Sequence, residues 1–411
     1  MGIPYYVASL LRKHKHIQKP APVTTQVLAI DFNCFIHRYL DPANPVGSLV
    51  TALKTLLTTT AIAGRVFVAF DGLVPYAKMV QQRYRRFRIP DATGDAPTFD
   101  KHQISPGTPF MRELATAIRT NFPEVEVSDT EQPGEGEHKM FRWFRTLPVG
   151  QTICIYGLDA DLVLISIAQS HLGTLCILRE QEETGFSVLS VDALKAALPM
   201  DPHEYVKMSI FAFGNDFMPP IAMYSLREDG YSRALHSADD LLSDTKELST
   251  LIQHAKETDR RIVAPDGHAL ESRFSAHLMD GVLNWEPVVY AFWKTYYWTL
   301  HYFTTSEVLD WMWVYPYPEA PLLSTLNAYD IPRISVWEHP TPPFTIRDQL
   351  RLILPDTSLA TTGIPPIFPN EMYNEAVDVR HPWMRRFQWE CDPYISLPWG
   401  RLTAVSEYPL A

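Results

Sequence analysis

The chain has 411 residues, 46% hydrophobic and 20% charged, with a net charge of −11. This is ordinary globular composition, enough for a large core and two domains or one domain with a large appendage, while the acidic balance argues against a general nucleic-acid-binding surface. The apolar runs are broken well short of the ~18 residues that a membrane-spanning helix needs.

The N-terminus carries no secretory pattern, and Tyr6 stands where a myristoylation motif needs Ser or Thr. Cys34, Cys154, Cys176 and Cys391 are scattered without metal-ligand spacing, so reduced thiols in a cytosolic or nuclear protein are expected. The cytoplasm is the expected compartment, with the nucleus as the alternative. After a basic cluster at Arg12–Lys19, a β-rich run at Gln26–Ile30 ends in Asp31, and a helix is expected over Val46–Thr58. A second strand, Arg65–Phe70, runs into Asp71-Gly72, followed by a helix over Ala77–Arg88. Helix Pro109–Thr120, strand Glu124–Val127 and helix Glu137–Thr146 come next. Strand Thr152–Tyr156 leads into Asp159-Ala160-Asp161, and strand Thr174–Leu178 precedes an apolar helix that ends at Gly214-Asn215-Asp216. Alternating strands and helices predict an α/β fold with a mostly parallel sheet flanked by helices, whose ligands bind at the carboxyl ends of the strands. The expected division is a first unit over 1–231 and an irregular, partly helical second unit over 232–411. The second contains a polar helix at Ser237–Arg261, an aromatic-dense helix at Pro287–Tyr302, and a Pro- and Trp-rich stretch beyond Asp310.

On a parallel sheet, Asp31, Asp71, Asp159 and Asp161 gather at one edge. Glu135 and Glu137 sit in Pro133-Gly134-Glu135-Gly136-Glu137-His138, a turn that opens a helix. Such carboxylates repel one another and raise each other's pKa values unless cations intervene. Hard oxygen ligands suit Mg²⁺, and an ion pair suits phosphodiester hydrolysis. Taken singly, these residues have plainer explanations. An aspartate at a strand end is more often a cap or turn residue, Glu135 and Glu137 fit the dipole of a helix N-terminus, and Asp159 with Asp161 fits a lone cation.

Five basic residues and no acidic one lie between Lys78 and Arg88. Lys78, Gln82, Arg85 and Arg86 fall at i, i+4, i+7 and i+8, one helical face suited to a terminal phosphate. A solvated basic surface is the plainer alternative.

In combination these segments resemble the Xrn-type 5′→3′ exoribonucleases. The resemblance begins with Met1-Gly2-Ile3-Pro4 and Asp31-Phe32-Asn33-Cys34-Phe35-Ile36-His37. It continues through Asp71–Met79, Gln81–Arg88, Ile104–Met111, Pro133–Lys139, Tyr156–Leu162, Leu178-Arg179-Glu180 and Gly214–Pro219. A looser second half includes Tyr297–Phe303, Trp311–Tyr317, Ala320-Pro321, Asp348-Gln349-Leu350, Leu354-Pro355, Phe387–Glu390 and Leu397-Pro398-Trp399. The resemblance implies a compact member limited to the catalytic core, with a PIN/FEN-like nuclease fold. It implies metal ligation by Asp31, Asp71, Glu135, Glu137, Asp159, Asp161 and Asp216, with two Mg²⁺ ions or Mn²⁺ in their place. It further implies that Lys78, Gln82, Arg85 and Arg86 grip a 5′-monophosphate on single-stranded RNA, and that His37 and Trp298 sandwich the first base. No membrane role is implied, and no protein partner is indicated. Two positions depart from the family pattern. Tyr76 stands where Arg is usual, and Cys34 where Gly is usual. The competing readings are a structure-specific 5′ DNA flap nuclease and a catalytically inert RNA-binding scaffold.

Overall fold

The computed structural model describes residues 6–20, 24–60, 62–87, 99–181, 185–221, 275, 279, 281–317 and 319–365. The strands are β1 (Gln18–Pro20), β2 (Thr25–Asp31), β3 (Ile62–Ala69), β4 (Glu126–Ser128), β5 (Thr152–Tyr156), β6 (Thr174–Gln181) and β7 (Gly185–Ser190). They form one sheet in the order β1-β7-β6-β5-β2-β3-β4. The five strands β6-β5-β2-β3-β4 run parallel, and β7 and β1 add an antiparallel edge. The mostly parallel sheet is as expected. The two antiparallel strands are additions that the sequence reading did not contain. β1 is three residues long, and β7 departs from the strand–helix rhythm.

The helices of the first half are α1 (Tyr6–Lys13), α2 (Phe32–Tyr39), α3 (Pro45–Thr59), α4 (Tyr76–Phe87), α5 (Pro109–Asn121), α6 (Gly136–Phe144), α7 (Asp161–Ala168), α8 (Val191–Ala197) and α9 (Pro202–Phe213). Those of the second half are α10 (Glu286–Thr305), α11 (Leu323–Ala328), α12 (Ile346–Ile353) and α13 (Asp356–Thr361). Three starts share one device. Asn44, Thr108 and Asp201 each cap a helix whose next residue is proline, and each side chain accepts backbone N–H groups of the first turn. The cap satisfies donors that the helix leaves unpaired, and proline has no donor to lose there. Helix α9 stops at Gly214, whose φ of +65° suits a residue without a Cβ; an added Cβ would lie 2.4 Å from the Pro220 nitrogen.

The two-residue period of the strands divides the core. Val27 and Ala29 of β2, with Phe67, Ile153 and Ile155, face α6, α7 and α9. Leu28 and Ile30, with Val66, Val68 and Tyr156, face α2, α3 and α5. Each fully buried Leu or Ile contributes roughly 1.5–3 kcal/mol. Helix α10 packs into the first of these cores through Phe292, Trp293, Tyr296, Trp298 and Tyr302, so that core continues across the expected division at residue 231. A third cluster joins Val74 and Met79, at the start of the basic helix, to Trp311, Leu350, Ile353 and Leu359. The expected polar helix at Ser237–Arg261, Cys391 and the motifs at Phe387–Glu390 and Leu397–Trp399 lie outside the described residues.

Candidate active site

Register brings the acidic residues together. Asp31 is the last residue of β2 and pairs with Ala69 of β3, while Ile30 pairs with Tyr156 of β5. Asp71 and Asp159 therefore leave neighbouring parallel strands at the same edge. Asp31 also caps α2, accepting the Asn33 and Cys34 N–H groups at 3.1 and 3.4 Å. The plain reading of a strand-end aspartate as a helix cap thus holds for Asp31. Asp71 accepts the Gly136 N–H at 2.7 Å and the Asn33 amide at 3.0 Å, and its own N–H donates back to Asn33 Oδ1 at 3.1 Å.

Glu135 precedes α6, and Glu137 lies in its first turn. Both are buried, as are Asp31, Asp161 and Asp216. Lys78 comes up from α4 between two of them, with Nζ 2.6 Å from Glu135 Oε2 and 2.7 Å from Asp216 Oδ2. Charge coupling links the set. Burial, then the charges of Asp71 and Asp159, raises Asp31 from an ordinary 3.8 to about 7. Burial, then Asp216, raises Asp161 to about 7. Glu137 is pushed well up by burial and by Glu135, Asp159 and Asp161. Burial also raises Glu135, against the pull of Lys78. For Asp216 burial acts in the same direction, but the Lys78 ammonium overcomes it and holds the carboxyl low. The Lys78 ammonium is shared between Glu135 and Asp216, and the carboxylates of the set outnumber it.

Among the described residues, no three His, Cys, Asp or Glu side chains are gathered tightly enough to hold a metal ion. Three or more such ligands drawn together would form a closed cage. Mg²⁺ does not require one, because it retains several waters and is usually held by one or two carboxylates together with substrate phosphates. The donor set fits such an ion, being all oxygen, largely buried and under-neutralised.

The basic face is less uniform than its spacing suggests. Lys78 is committed to carboxylates rather than turned toward an open pocket. The Arg86 guanidinium donates to Ser105 Oγ at 3.0 Å and to the Ile104 carbonyl at 2.8 Å. Burial and the neighbouring Arg85 charge lower its pKa to about 10. Arg85 is half-buried, and Gln82 is buried with its amide oxygen unpartnered. His37 keeps solvent access, yet partial desolvation and the charges of Arg86 and Arg85 push its pKa down. Trp298 is placed otherwise than the resemblance implies. It is 1% exposed, its indole N–H donates to the Asp310 carbonyl at 2.9 Å, and its ring packs edge-on to Phe217. A side chain so enclosed has no face open to a base.

The family model described as the XRN 5′-3′ exonuclease N-terminus matches residues 1–181, and that of the Xrn1 helical domain matches residues 269–393. The chain belongs to the Xrn family. The 5′-3′ exoribonuclease 2 of Eremothecium gossypii is 34% identical over 205 residues, which cover 39% of this chain and 20% of that protein. The 5′-3′ exoribonuclease 1 of Saccharomyces cerevisiae is 27% identical over 290 residues, covering 53% of this chain and 19% of that protein. The chain thus spans about a fifth of the length of the curated relatives it matches. Among solved structures, the catalytic core of Rad2 in complex with DNA substrate (complex III) aligns at a TM-score of 0.43 and 16% identity, over 90% of this chain and 97% of that one.

Three residues of this Xrn-family site were not singled out from the sequence. Asn33 holds Asp71 on two sides. Gly136 lets α6 approach: an added Cβ would stand 3.0 Å from the Ala69 carbonyl, 3.2 Å from Asp31 Oδ1 and 3.5 Å from Asp71 Oδ1. Tyr302, from the aromatic helix, reaches Glu135. All three lie inside the segments that carry the family resemblance, Asn33 and Gly136 within two residues of an acidic side chain, but Tyr302 sits in an aromatic-dense helix, where one tyrosine reads as core.

Proposed function

We propose that this Xrn-family chain is a 5′→3′ exoribonuclease that hydrolyses single-stranded RNA carrying a 5′-monophosphate, with two Mg²⁺ ions as cofactors. The observation that carries the reading is the reach of Lys78 from the basic helix into the carboxylate cluster. An RNA end held by that helix has its leading phosphodiester beside the acidic residues.

Asp31, Asp71, Glu135, Glu137, Asp159, Asp161 and Asp216 are the residues that would hold the ions. When bound, such ions supply Lewis-acid polarisation of the phosphoryl oxygens and acidify water. The chain itself supplies binding and orientation. Arg85, Arg86 and Gln82 present guanidinium and amide groups to a terminal phosphate, a match of fork geometry to an oxyanion. The lowered pKa of His37 keeps its ring neutral at pH 7, and a neutral ring offers a stacking face to the first base, worth roughly 1–3 kcal/mol. Asn33 and the Gly136 N–H fix Asp71 so that it does not follow its neighbours' repulsion. Cleavage on the 3′ side of the first nucleotide's sugar releases a nucleoside 5′-monophosphate and leaves a new 5′-phosphate, so the shortened RNA is again a substrate.

The test is digestion of one RNA sequence bearing a 5′-hydroxyl, monophosphate, triphosphate or cap, with Mg²⁺ and with EDTA, beside a flap DNA of equal length. The expected result is Mg²⁺-dependent release of nucleoside 5′-monophosphates from the monophosphorylated RNA, with the other RNAs cleaved far more slowly. Indifference to the 5′ end, or preference for the flap, would overturn the reading.

A further inference from the structure

Tyr302 lies in α10, which belongs to the second half of the chain, yet its hydroxyl donates to Glu135 Oε1 at 3.0 Å in a buried bond across 167 positions of sequence. The other oxygen of the same carboxylate is held by Lys78 at 2.6 Å. Glu135 is therefore gripped from both sides, and the freedom of a long acidic side chain is removed before any ligand arrives. The tyrosine ring is fixed in turn. It stacks on His138 of α6, with centroids 3.5 Å apart and an interplanar angle of 20°, and lies 5.8 Å from the Phe217 ring, next to Asp216. One side chain of the helical half thus touches the turn that carries Glu135 and Glu137 and the segment that carries Asp216.

The phenol O–H is the donor in this bond and the carboxylate the acceptor. The neighbouring imidazole is enclosed, and neither of its ring nitrogens has a hydrogen-bond partner. Its contact with Tyr302 is therefore ring packing, and no proton path runs through it. A donor held this rigidly does one thing for a carboxylate, which is to select its rotamer. Outer partners of metal-ligating groups commonly matter 10–100-fold in metal affinity or activity.

We propose that Tyr302 is a positioning residue that sets the Glu135 carboxylate for cation binding and so makes the metal site depend on the helical half of the chain. This rests on the metal-dependent reading above. The substitution Tyr302→Phe keeps the ring, and hence the stack on His138, and removes a single oxygen. Mn²⁺ binding to the full chain is measured by titration calorimetry, without RNA, for wild type, Y302F, E135Q and the double variant. Folding is followed by circular dichroism and thermal melting in EDTA.

The expected result is Mn²⁺ affinity 10–100-fold weaker in Y302F, with the kcat loss recovered at high metal and the KM for RNA little changed. In the double variant the effect of Y302F on Mn²⁺ affinity should shrink, because the carboxylate it positions is gone. Wild-type Mn²⁺ affinity in Y302F would overturn the proposal. So would a melting loss whose binding defect vanishes once affinity is normalised to the folded fraction, since that describes a packing role only. Absence of Mn²⁺ binding in the wild type would strike the metal-dependent reading itself, a different failure from an unaltered Y302F.

Discussion

Lys78 Nζ lies 2.7 Å from Asp216 Oδ2, with both side chains buried, and the same ammonium lies 2.6 Å from Glu135. Breaking a buried pair by removing one partner leaves an uncompensated charge, at a cost of roughly 3–5 kcal/mol. Lys78→Met should therefore lower the melting temperature at pH 8. At pH 5 the loss should be smaller, because without the ammonium Asp216 and Glu135 take up protons more readily. Mg²⁺ should return part of the loss at pH 8 by supplying the missing positive charge. Thermal melts of both proteins at the two pH values, with and without Mg²⁺, check this. An equal loss at both pH values would show that Lys78 is not compensating these carboxylates.

The wild type should show its own pH dependence in EDTA. Asp31 and Asp161 are raised from 3.8 to about 7 by burial and by neighbouring carboxylates. A carboxyl that binds its proton more tightly when folded favours folding at low pH. That contribution fades as pH climbs from about 4 through about 7. Asp216, held low by Lys78 against the effect of its burial, acts in the opposite sense, and its contribution is lost only in strong acid. His37, lowered to about 4, and His138, also lowered, act in the opposite sense up to about pH 6.5, so the fall due to the raised pair should appear as the difference between wild type and the double variant Asp31→Asn/Asp161→Asn across pH 5–8, on the order of a few kcal/mol. Saturating Mg²⁺ should flatten the profile. Urea midpoints of both proteins at half-unit intervals measure it, and a wild-type-minus-variant difference that rises toward pH 8 without metal would contradict the electrostatics described.

Much of this site was legible before the fold was known, for identifiable reasons. Asp31, Asp71 and Asp159 follow apolar β-rich runs, and parallel strands must end at a common edge, so their convergence follows from topology alone. The expected helices Val46–Thr58 and Pro109–Thr120 lie within one residue of α3 and α5 at each end, because cap and proline act locally at Asn44-Pro45 and Thr108-Pro109. What the sequence hid was long-range. The Lys78 side chain could face solvent or carboxylates from the same helical position, and its choice depends on Asp216, 138 residues away. Trp298 and Tyr302 are two aromatics of one helix. Only packing decides that the first is sealed against Phe217 while the second reaches a carboxylate.

Two glycines give a graded test of how tightly the acidic edge is built. At Gly72 an added Cβ would lie 2.0 Å from the Gln132 carbonyl oxygen, a backbone atom with no freedom to move aside. Gly72→Ala should therefore destabilise severely, by several kcal/mol or more, on the scale of backbone strain and overpacking. At Gly136 the nearest atoms are the Ala69 carbonyl at 3.0 Å and Asp31 Oδ1 at 3.2 Å. Gly136→Ala should fold with a modest loss of about 1–2 kcal/mol, yet displace the carboxylates and cut the hydrolytic rate by at least tenfold. Soluble yield, melting temperature and single-turnover rate separate the two. A Gly136→Ala protein with full activity would mean that the approach of α6 to Asp31 and Asp71 is not needed for the reaction.

The two arginines at the end of the basic helix should behave differently although they are adjacent in sequence. Arg86 is buried and donates to the Ile104 carbonyl and Ser105 Oγ, so it holds the following segment in place. Arg85 is half-buried, and its charge is felt by both His37 and Asp216, which puts it between that histidine and the acidic cluster. A charge-assisted hydrogen bond to phosphate is worth about 1.5–3 kcal/mol. Arg85→Gln should accordingly lower kcat/KM for 5′-monophosphorylated RNA by roughly 10- to 100-fold, leave the melting temperature nearly unchanged, and barely alter the slow cleavage of a 5′-hydroxyl RNA. Arg86→Gln should reduce activity and stability together, because the Ile104 carbonyl loses its donor in a buried setting. If Arg85→Gln slows both RNAs equally, its charge serves the chain as a whole and not the 5′-phosphate, and recognition of the leading end must be sought in Gln82 and Arg86.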